Sequence, residues 1–492
     1  MTELNSVKDV LIVGAGPTGL TLACDLARRG VRALLVERAE TLFPGSRGKG
    51  IQPRTQEVFD DLGVLDEALA LGGTYPTGMI WRDGERQGER PMFEAVAPTP
   101  AEPYTVPLML PQWRTQEILH ARLRELGGAE VEFGTALTAL AQDEDGVTAE
   151  LTTDHGTRTV RARYLVAADG GRSTVRRALG VTMTGEAVDP YPTIVADVRV
   201  RTGALDRDHW HMFPPATDDD TLANTFTALC PLAGTEDFQL AARLPEDATP
   251  DLSPDAVRAL VAARTHLAAE DVTEVRWASD FRPRAAMAGR FRAGRVFLAG
   301  DAAHVHSPAG GQGLNTGVQD AYNLGWKLGA VLRDGAPAAL LDTYEEERLP
   351  VAASVLNLST RVHRQEVPRG RATQQLGLNY RESSLSAEER GGIEDDALQA
   401  GDRAPDGPAD RAGGDGHLFG LFRGPHWTLL AVGTPEAELP PLKADFIHVH
   451  HLKPYEPYGR GLFLVRPDGY VGWAGTDAAT LPDYLKHVTA NV

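Results

Sequence analysis

The stretch from Leu11 to Leu22 limits the fold more than any other part of the chain. Asp9 precedes Val10-Leu11-Ile12-Val13, an apolar, β-branched-rich run of the kind that forms a buried parallel strand. Gly14, Gly16 and Gly19 follow at once in G-x-G-x-x-G spacing. In that pattern the first glycine permits a tight turn, the second lets backbone approach a pyrophosphate, and the third lets helix and strand pack closely. The spacing predicts a helix from about Pro17 to Arg29, stopped by Gly30, and a second strand from Arg32 to Val36. Free N–H groups at that helix start would face phosphates. Glu37 ends the second strand, about twenty residues beyond the glycines, where an acidic group accepts from adenosine ribose hydroxyls. A carboxylate there disfavours a ribose 2′-phosphate, so the turn suits FAD or NAD and not NADP.

The rest of the chain must extend this α/β unit. At 492 residues it exceeds what one core usually supports, so two or three domains are expected. Lys and Arg number 49 against 68 Asp and Glu, a formal charge of −19 that repels nucleic acid and anionic lipid. An anionic cofactor therefore needs local donors. Cys24 and Cys230 are too few for a disulfide framework or a four-cysteine zinc site, and both read as packed apolar residues. The opening MTELNSVKDVLIVG lacks a basic region before a long apolar run, and nowhere do about 18 apolar residues run together. A cytoplasmic protein without membrane contact is expected.

Further motifs follow in order. Val160 to Arg177 reads as a strand, an Asp169-Gly170 turn and a basic helix. Arg295 to Ala299 is another apolar strand ending at Gly300-Asp301, the end of a strand where α/β folds place ligands. His306 to Gly317 is glycine-rich and leads into a helix with Val318, Tyr322, Gly325, Leu328 and Leu332 at helical spacing. Its N-terminus would favour negative charge on a bound ring.

These residues together resemble the class A flavoprotein aromatic hydroxylases, the para-hydroxybenzoate hydroxylase-like family, in its bacterial polyketide and phenol hydroxylase branches. The resemblance rests on Gly14 to Gly19, Ser46-Arg47-Gly48-Lys49-Gly50, Arg54-Thr55, Asp169-Gly170, Gly300-Asp301 with His304, and Pro308, Gly311, Gly313 and Asn315. It covers residues 8 to 350. It implies FAD on Gly14, Gly16, Pro17, Thr18, Gly19, Glu37 and Arg38, with Arg47 near the flavin and pyrophosphate. Gln112 and Arg114 resemble a segment contacting the ribityl chain and phosphate, and Asp169 the Asp-Gly signature of FAD and NAD(P)H handling. Asp301 matches the ribityl-binding aspartate, and Pro308, Gly311, Gly313, Leu314 and Asn315 would lie against the isoalloxazine ring. Asp169 also suits a plain turn, His304 a structural cap, and Lys49 and Arg54 solvated positions. No catalytic side chain is assigned.

The implied reaction is reduction of FAD by NADH or NADPH, O2 addition to give a flavin C4a-hydroperoxide, and hydroxylation of a phenolic, polyketide-like small molecule. A Baeyer-Villiger or epoxidising monooxygenase is the alternative, and a flavin reductase or flavin-binding regulatory protein a further one. The cofactor carries this chemistry, so no protein nucleophile is required.

The resemblance also sets the domain plan. A Rossmann-like FAD unit comprises residues 1–72, 108–182 and 285–395; an inserted antiparallel sheet comprises 73–107 and 183–284; a thioredoxin-like unit comprises 396–492. Alternation in Thr193–Val200, Asn224–Cys230 and Asp237–Arg243 marks the inserted strands, with Gly78–Trp81 joining them. Substrate-wall candidates are Trp210, His211, Phe213, Thr225, Phe226 and Thr227, of which alternation admits only some to one face. Ser384 to Pro408 reads as a linker, followed by strands at Trp427–Val432, Asp445–His450 and Gly461–Val465. No cysteine lies there, so dithiol chemistry is excluded. His448, His450 and His451 suggest a metal at first sight, but adjacent histidines on a strand point to alternate faces and no carboxylate cluster accompanies them, so none is expected. Oligomeric state is left open, with a homodimer as one expectation.

Overall fold

The computed structural model describes residues 7–215, 225–409, 416–434 and 446–489, so Asn224 and Asp445 of the expected strands fall outside it. The apolar run after Asp9 is the strand Lys8–Val13, at the centre of an eight-stranded sheet. It pairs in parallel with Ala33–Val36 on one side and Gly156–Ala167 on the other, and Val296–Leu298 extends the parallel set. Both faces of the central strand are covered, which is why Val10, Leu11 and Ile12 are apolar without alternation and fully buried. Helix Pro17–Arg28 makes the first crossover and packs on helices Gln112–Glu125 and Gly313–Arg333. Cys24 points into that interface and donates its S–H to Leu119 O at 3.2 Å.

The inserted sheet has seven strands, with Thr193–Val200, Asp237–Arg243 and Thr227–Pro231 at its heart. Gly78–Trp81 belongs to it through the strand Thr77–Arg82, which pairs in parallel with His209–Phe213. Alternation makes one face apolar: Ala196, Val198, Phe213, Leu229, Leu240 and Ala242 form a core with Val257 and Val261 of helix Pro254–Arg264. The opposite face carries Asp197, Gln239 and Cys230, which are cross-strand partners in register.

The C-terminal sheet pairs Trp427–Val432 in parallel with Ile447–Leu452 and antiparallel with Gly461–Val465, which continues antiparallel to Val471–Gly475. It has a core on each face, as alternation requires: Leu429, Leu462, Leu464 and Trp473 pack with Trp326, while Leu430, Phe463, Val465 and Val471 pack with Leu418. The expected linker is loop over most of its length but partly tied down: Asp402 pairs with Arg381 at 2.7 Å, Arg403 binds Glu57 at 2.9 Å, and Ala387–Glu388 adds an edge strand to the C-terminal sheet, while Glu389, Glu394, Asp395 and Asp396 are exposed.

A buried ionic group ties this sheet to the long helices. Arg466 donates to both Glu347 oxygens, at 2.6 and 2.9 Å, and to Asp468 at 2.6 Å, while Lys327 reaches Glu347 at 2.7 Å. No helix among the described residues is long and apolar enough to cross a membrane.

Candidate active site

The first turn is built by its own sterics. Gly14 has φ +105°, and a Cβ there would fall 2.4 Å from Ala168 O. A Cβ on Gly19 would lie 1.9 Å from Gly14 O. Gly16 is different: nothing lies within 4 Å of the position its Cβ would take, so this backbone faces open space at the helix start. Two glycines therefore serve the chain's packing, while the third leaves room for something outside it. Glu37 accepts from Ala15 N at 2.9 Å and from Ala39 N at 3.0 Å, so its carboxylate clasps the same turn, and Arg38 beside it is exposed. Pro17 opens the helix. Thr18 fills the slot left by Gly300 and Gly317, whose Cβ atoms would come within 2.6 and 2.5 Å of its Oγ1. That contact docks the first turn on the second.

At the second turn, Asp301 keeps exposed surface although it lies deep in the molecule, as a residue lining a cleft does. Burial pushes its carboxyl above the usual aspartate range, with His304 and Arg47 opposing the shift. Arg47 donates to Ser279 Oγ at 2.8 Å, and its guanidinium stands 5.3 Å from the Phe43 ring centroid. Gln112 accepts from Gly48 N at 3.1 Å and so fixes the Arg47 loop, while Arg114 pairs with Glu117 at 2.7 Å. Asn315 accepts from Gln52 N at 2.8 Å and donates to Gly50 O and Gly311 O, stitching the two loops together. Leu314 sits against Gly48, Gly313 against Asp301, and Pro308 is exposed. Asp169 accepts from Thr174 N at 2.7 Å, capping the next helix, while its Oδ1 is buried without a hydrogen-bond partner.

His304 is structural. It pairs with Asp320 at 2.6 Å and lies 2.9 Å from His306, and Arg348 holds the other Asp320 oxygen at 2.7 Å. This buried chain pins the 300–306 turn to the long helix.

The substrate-wall candidates need correction. His211, Phe213 and Thr227 lie on the sheet face that packs against helix Pro254–Arg264. His211 is fully buried, accepts from Trp81 Nε1 at 3.0 Å and contacts Asp206 O at 2.9 Å. Thr225, two residues before Thr227, is buried, and Phe226 is exposed. The face that meets the Ser46–Lys49 loop carries Trp210, Met212, Cys230, Asp197 and Gln239, and Gln239 bonds to both Ser46 O and Lys49. Of the named candidates Trp210 lies there, and Phe226, one residue before Thr227, alternates onto the same face. Lys49 and Arg54 are not solvated either. Lys49 stands over Trp210, and Arg54 is buried between Glu57, at 2.7 Å, and Asp468 O, at 2.6 Å.

Asp197 gives this face a pH signature. Burial pushes its carboxyl up to about 6, Asp237 adding to the shift and Ser46 and Lys49 opposing it. The folded carboxyl keeps its proton to higher pH than the unfolded chain, so stability falls as pH rises from about 4 to about 6. At about 1.4 kcal/mol per unit, the loss amounts to ~3 kcal/mol. Asp197→Asn is expected to remove it, and melting curves of both proteins between about pH 4 and pH 7 check this. Parallel curves would refute the assignment.

An open backbone cradle at Gly16 and a carboxylate at a strand end are the donor set a bound dinucleotide such as FAD requires. The chain belongs to the FAD binding domain family, whose model matches residues 8–359, and residues 398–491 match the model described as aromatic-ring hydroxylase, C-terminal. It is 45% identical to a flavin-dependent monooxygenase of Mycobacteroides abscessus over 97% of this chain and 99% of that one. It is 36% identical to the 12-dehydrotetracycline 5-monooxygenase/anhydrotetracycline 6-monooxygenase of Streptomyces rimosus, covering 96% and 97%. Among solved structures, an aklavinone-11 hydroxylase in ternary complex with FAD and aklavinone superposes with TM-score 0.81 at 30% identity, covering 99% and 100%. The protein is a flavin-dependent monooxygenase that uses FAD, a reduced nicotinamide and O2.

Proposed function

We propose that this monooxygenase hydroxylates a phenolic, polyketide-like aromatic beneath the inserted sheet and acts in the cytoplasm. The observation that carries the reading is an aromatic cluster beside the sheet's inner face, which we read as the wall of a substrate chamber. Trp210 stands 6.3 Å from Tyr75, and Tyr75 meets Phe93 edge-on at 4.8 Å, beside the Ser46–Lys49 loop of the cofactor cleft. Relatives that act on fused or substituted rings, among them a pentachlorophenol 4-monooxygenase 33% identical over 87% of this chain, support it.

In this reading residues 1–72, 108–182 and 285–395 hold FAD, 73–107 and 183–284 roof the substrate, and 396–492 brace the long helices. Gly14, Gly16 and Gly19 with the helix start take the pyrophosphate, and Glu37 the adenosine ribose. Asp301 takes the ribityl chain, with Arg47, Gln112 and Arg114 on the loop beside it. Backbone from Pro308 to Asn315 flanks the ring. Bound FAD supplies two-electron chemistry between NAD(P)H, O2 and an aromatic carbon. The protein's share is to exclude water and to orient the ring.

Asp301→Ala is expected to lower FAD affinity about tenfold or more, since a carboxylate that accepts from a hydroxyl is lost. Flavin fluorescence during dialysis checks it, and a variant that keeps its full FAD would contradict the role given to Asp301. NAD(P)H and O2 uptake with candidate phenols, followed by product mass, tests the reaction: ring hydroxylation supports it, and a lactone points to Baeyer-Villiger chemistry.

A further inference from the structure

Two cations, Lys49 and Arg369, stand beside this aromatic cluster. Lys49 is held by Gln239, with its ammonium 4.3 Å from the Trp210 ring centroid. The Arg369 guanidinium lies 5.9 Å from both the Trp210 and the Phe93 centroids. Both lie deep in the molecule and keep some accessible surface, and Tyr75, Phe93 and Trp210 are likewise only half-buried, the pattern expected of residues around an internal space.

Neither cation has an ion-pair partner among the described residues. Among the described residues the only carboxylate acting on Lys49 is Asp197, itself pushed up to about 6, and none acts on Arg369. Burial depresses both, Arg369 depresses Lys49 further, and Arg90 does the same to Arg369. Dehydrating two like charges without an anion is costly. Gln239 and the faces of Trp210 and Phe93 offset only part of it. An anion entering between them would relieve both desolvation and repulsion, and the aromatic walls require that anion to be carried on a flat, apolar ring.

We propose that Lys49 and Arg369 form a two-cation receptor for an ionised oxygen of the substrate, so that a phenol or enol is bound as its oxyanion beside Trp210. This rests on the hydroxylase reading and narrows its substrate class to aromatics with an acidic hydroxyl. On binding, the O–H proton leaves to solvent and its electron pair stays on the oxygen; no other bond changes. The retained pair enriches the ring that is to be oxygenated, so Lys49 and Arg369 are positioning residues for the reaction.

The oxidised holoenzyme is titrated with para-nitrophenol about one pH unit below the probe's own pKa, and with para-nitroanisole, which has no proton to lose. The account expects the visible phenolate band to grow as the phenol binds, and the ether to bind about tenfold or more weakly. Lys49→Met and Arg369→Met are each expected to weaken phenol binding about tenfold or more, and Lys49→Arg to recover part of it. The ratio of flavin to protein absorbance checks that each variant still holds FAD.

A bound probe that stays protonated, an ether that binds equally well, or Met variants within about twofold of wild type would overturn the proposal. So would a raised KM for NADPH with unchanged phenol binding, which assigns the cations to the reductant's phosphates. A holoenzyme that shows the phenolate band yet takes up no O2 with NAD(P)H would refute the hydroxylase reading and leave the receptor standing.

Discussion

Gly16→Val is expected to lower FAD affinity by about 100-fold or more while the apoprotein melts within a few degrees of wild type. The reasoning is spatial. Nothing lies within 4 Å of the position a Gly16 Cβ would occupy, and its φ of −73° suits any residue, so the fold tolerates a side chain. A pyrophosphate seated on the helix N-terminus does not, because the branched carbons stand between it and the N–H groups. Gly19→Val supplies the contrast. Its Cβ would be driven to within 1.9 Å of Gly14 O, so this variant should lose stability before cofactor binding is reached. Calorimetry of the apoproteins and FAD titration separate the two effects. A Gly16 variant that binds FAD normally would show that the pyrophosphate lies elsewhere.

Glu347→Ala is expected to destabilise the chain by about 3–5 kcal/mol, since it leaves a buried charge uncompensated. Glu347, Arg466, Asp468 and Lys327 balance as two anions and two cations, and their side chains are at most 1% exposed. Removing Glu347 leaves Arg466 and Lys327 to share Asp468. The same change loosens the C-terminal sheet from helix Thr343–His363, so Trp473 and Trp427 fluorescence should report an earlier transition in urea. Glu347→Gln keeps the shape and loses the charge, and should recover little. Unfolding of the Ala variant at the wild-type midpoint would show that the ionic group contributes specificity and not stability.

The first turn was legible because its information is local: three glycines, a strand, a helix and Glu37 lie within 30 residues and obey short-range sterics. Lys8–Val13 and Pro17–Arg28 fall where the pattern puts them. The chamber was harder to read. Alternation says that Asp197 and Val198 face opposite ways, but not which way is inward. Helix Pro254–Arg264 decides that by claiming the apolar register, and its stripe of Val257 and Val261 was the available signal. His211, with polar atoms suited to a ligand, spends them on Trp81 and Asp206 instead. Lys49 and Arg54 looked solvated because the groups that bury them, Gln239 and Asp468, lie far along the sequence. The charged stretch after Ser384 was legible only in part: Glu394, Asp395 and Asp396 are exposed as charge predicts, while Asp402 and Arg403 are held by partners elsewhere in the sequence.

The central claim is oxygen insertion into an aromatic ring by the FAD-loaded enzyme. The purified holoenzyme is supplied with NADPH, a phenol shown to raise the rate of O2 uptake, and dioxygen carrying the heavy isotope. The account predicts one heavy oxygen atom on a ring carbon per NADPH consumed, with the second oxygen leaving as water. NADPH consumed only to hydrogen peroxide, or a product whose new oxygen comes from water, would contradict it.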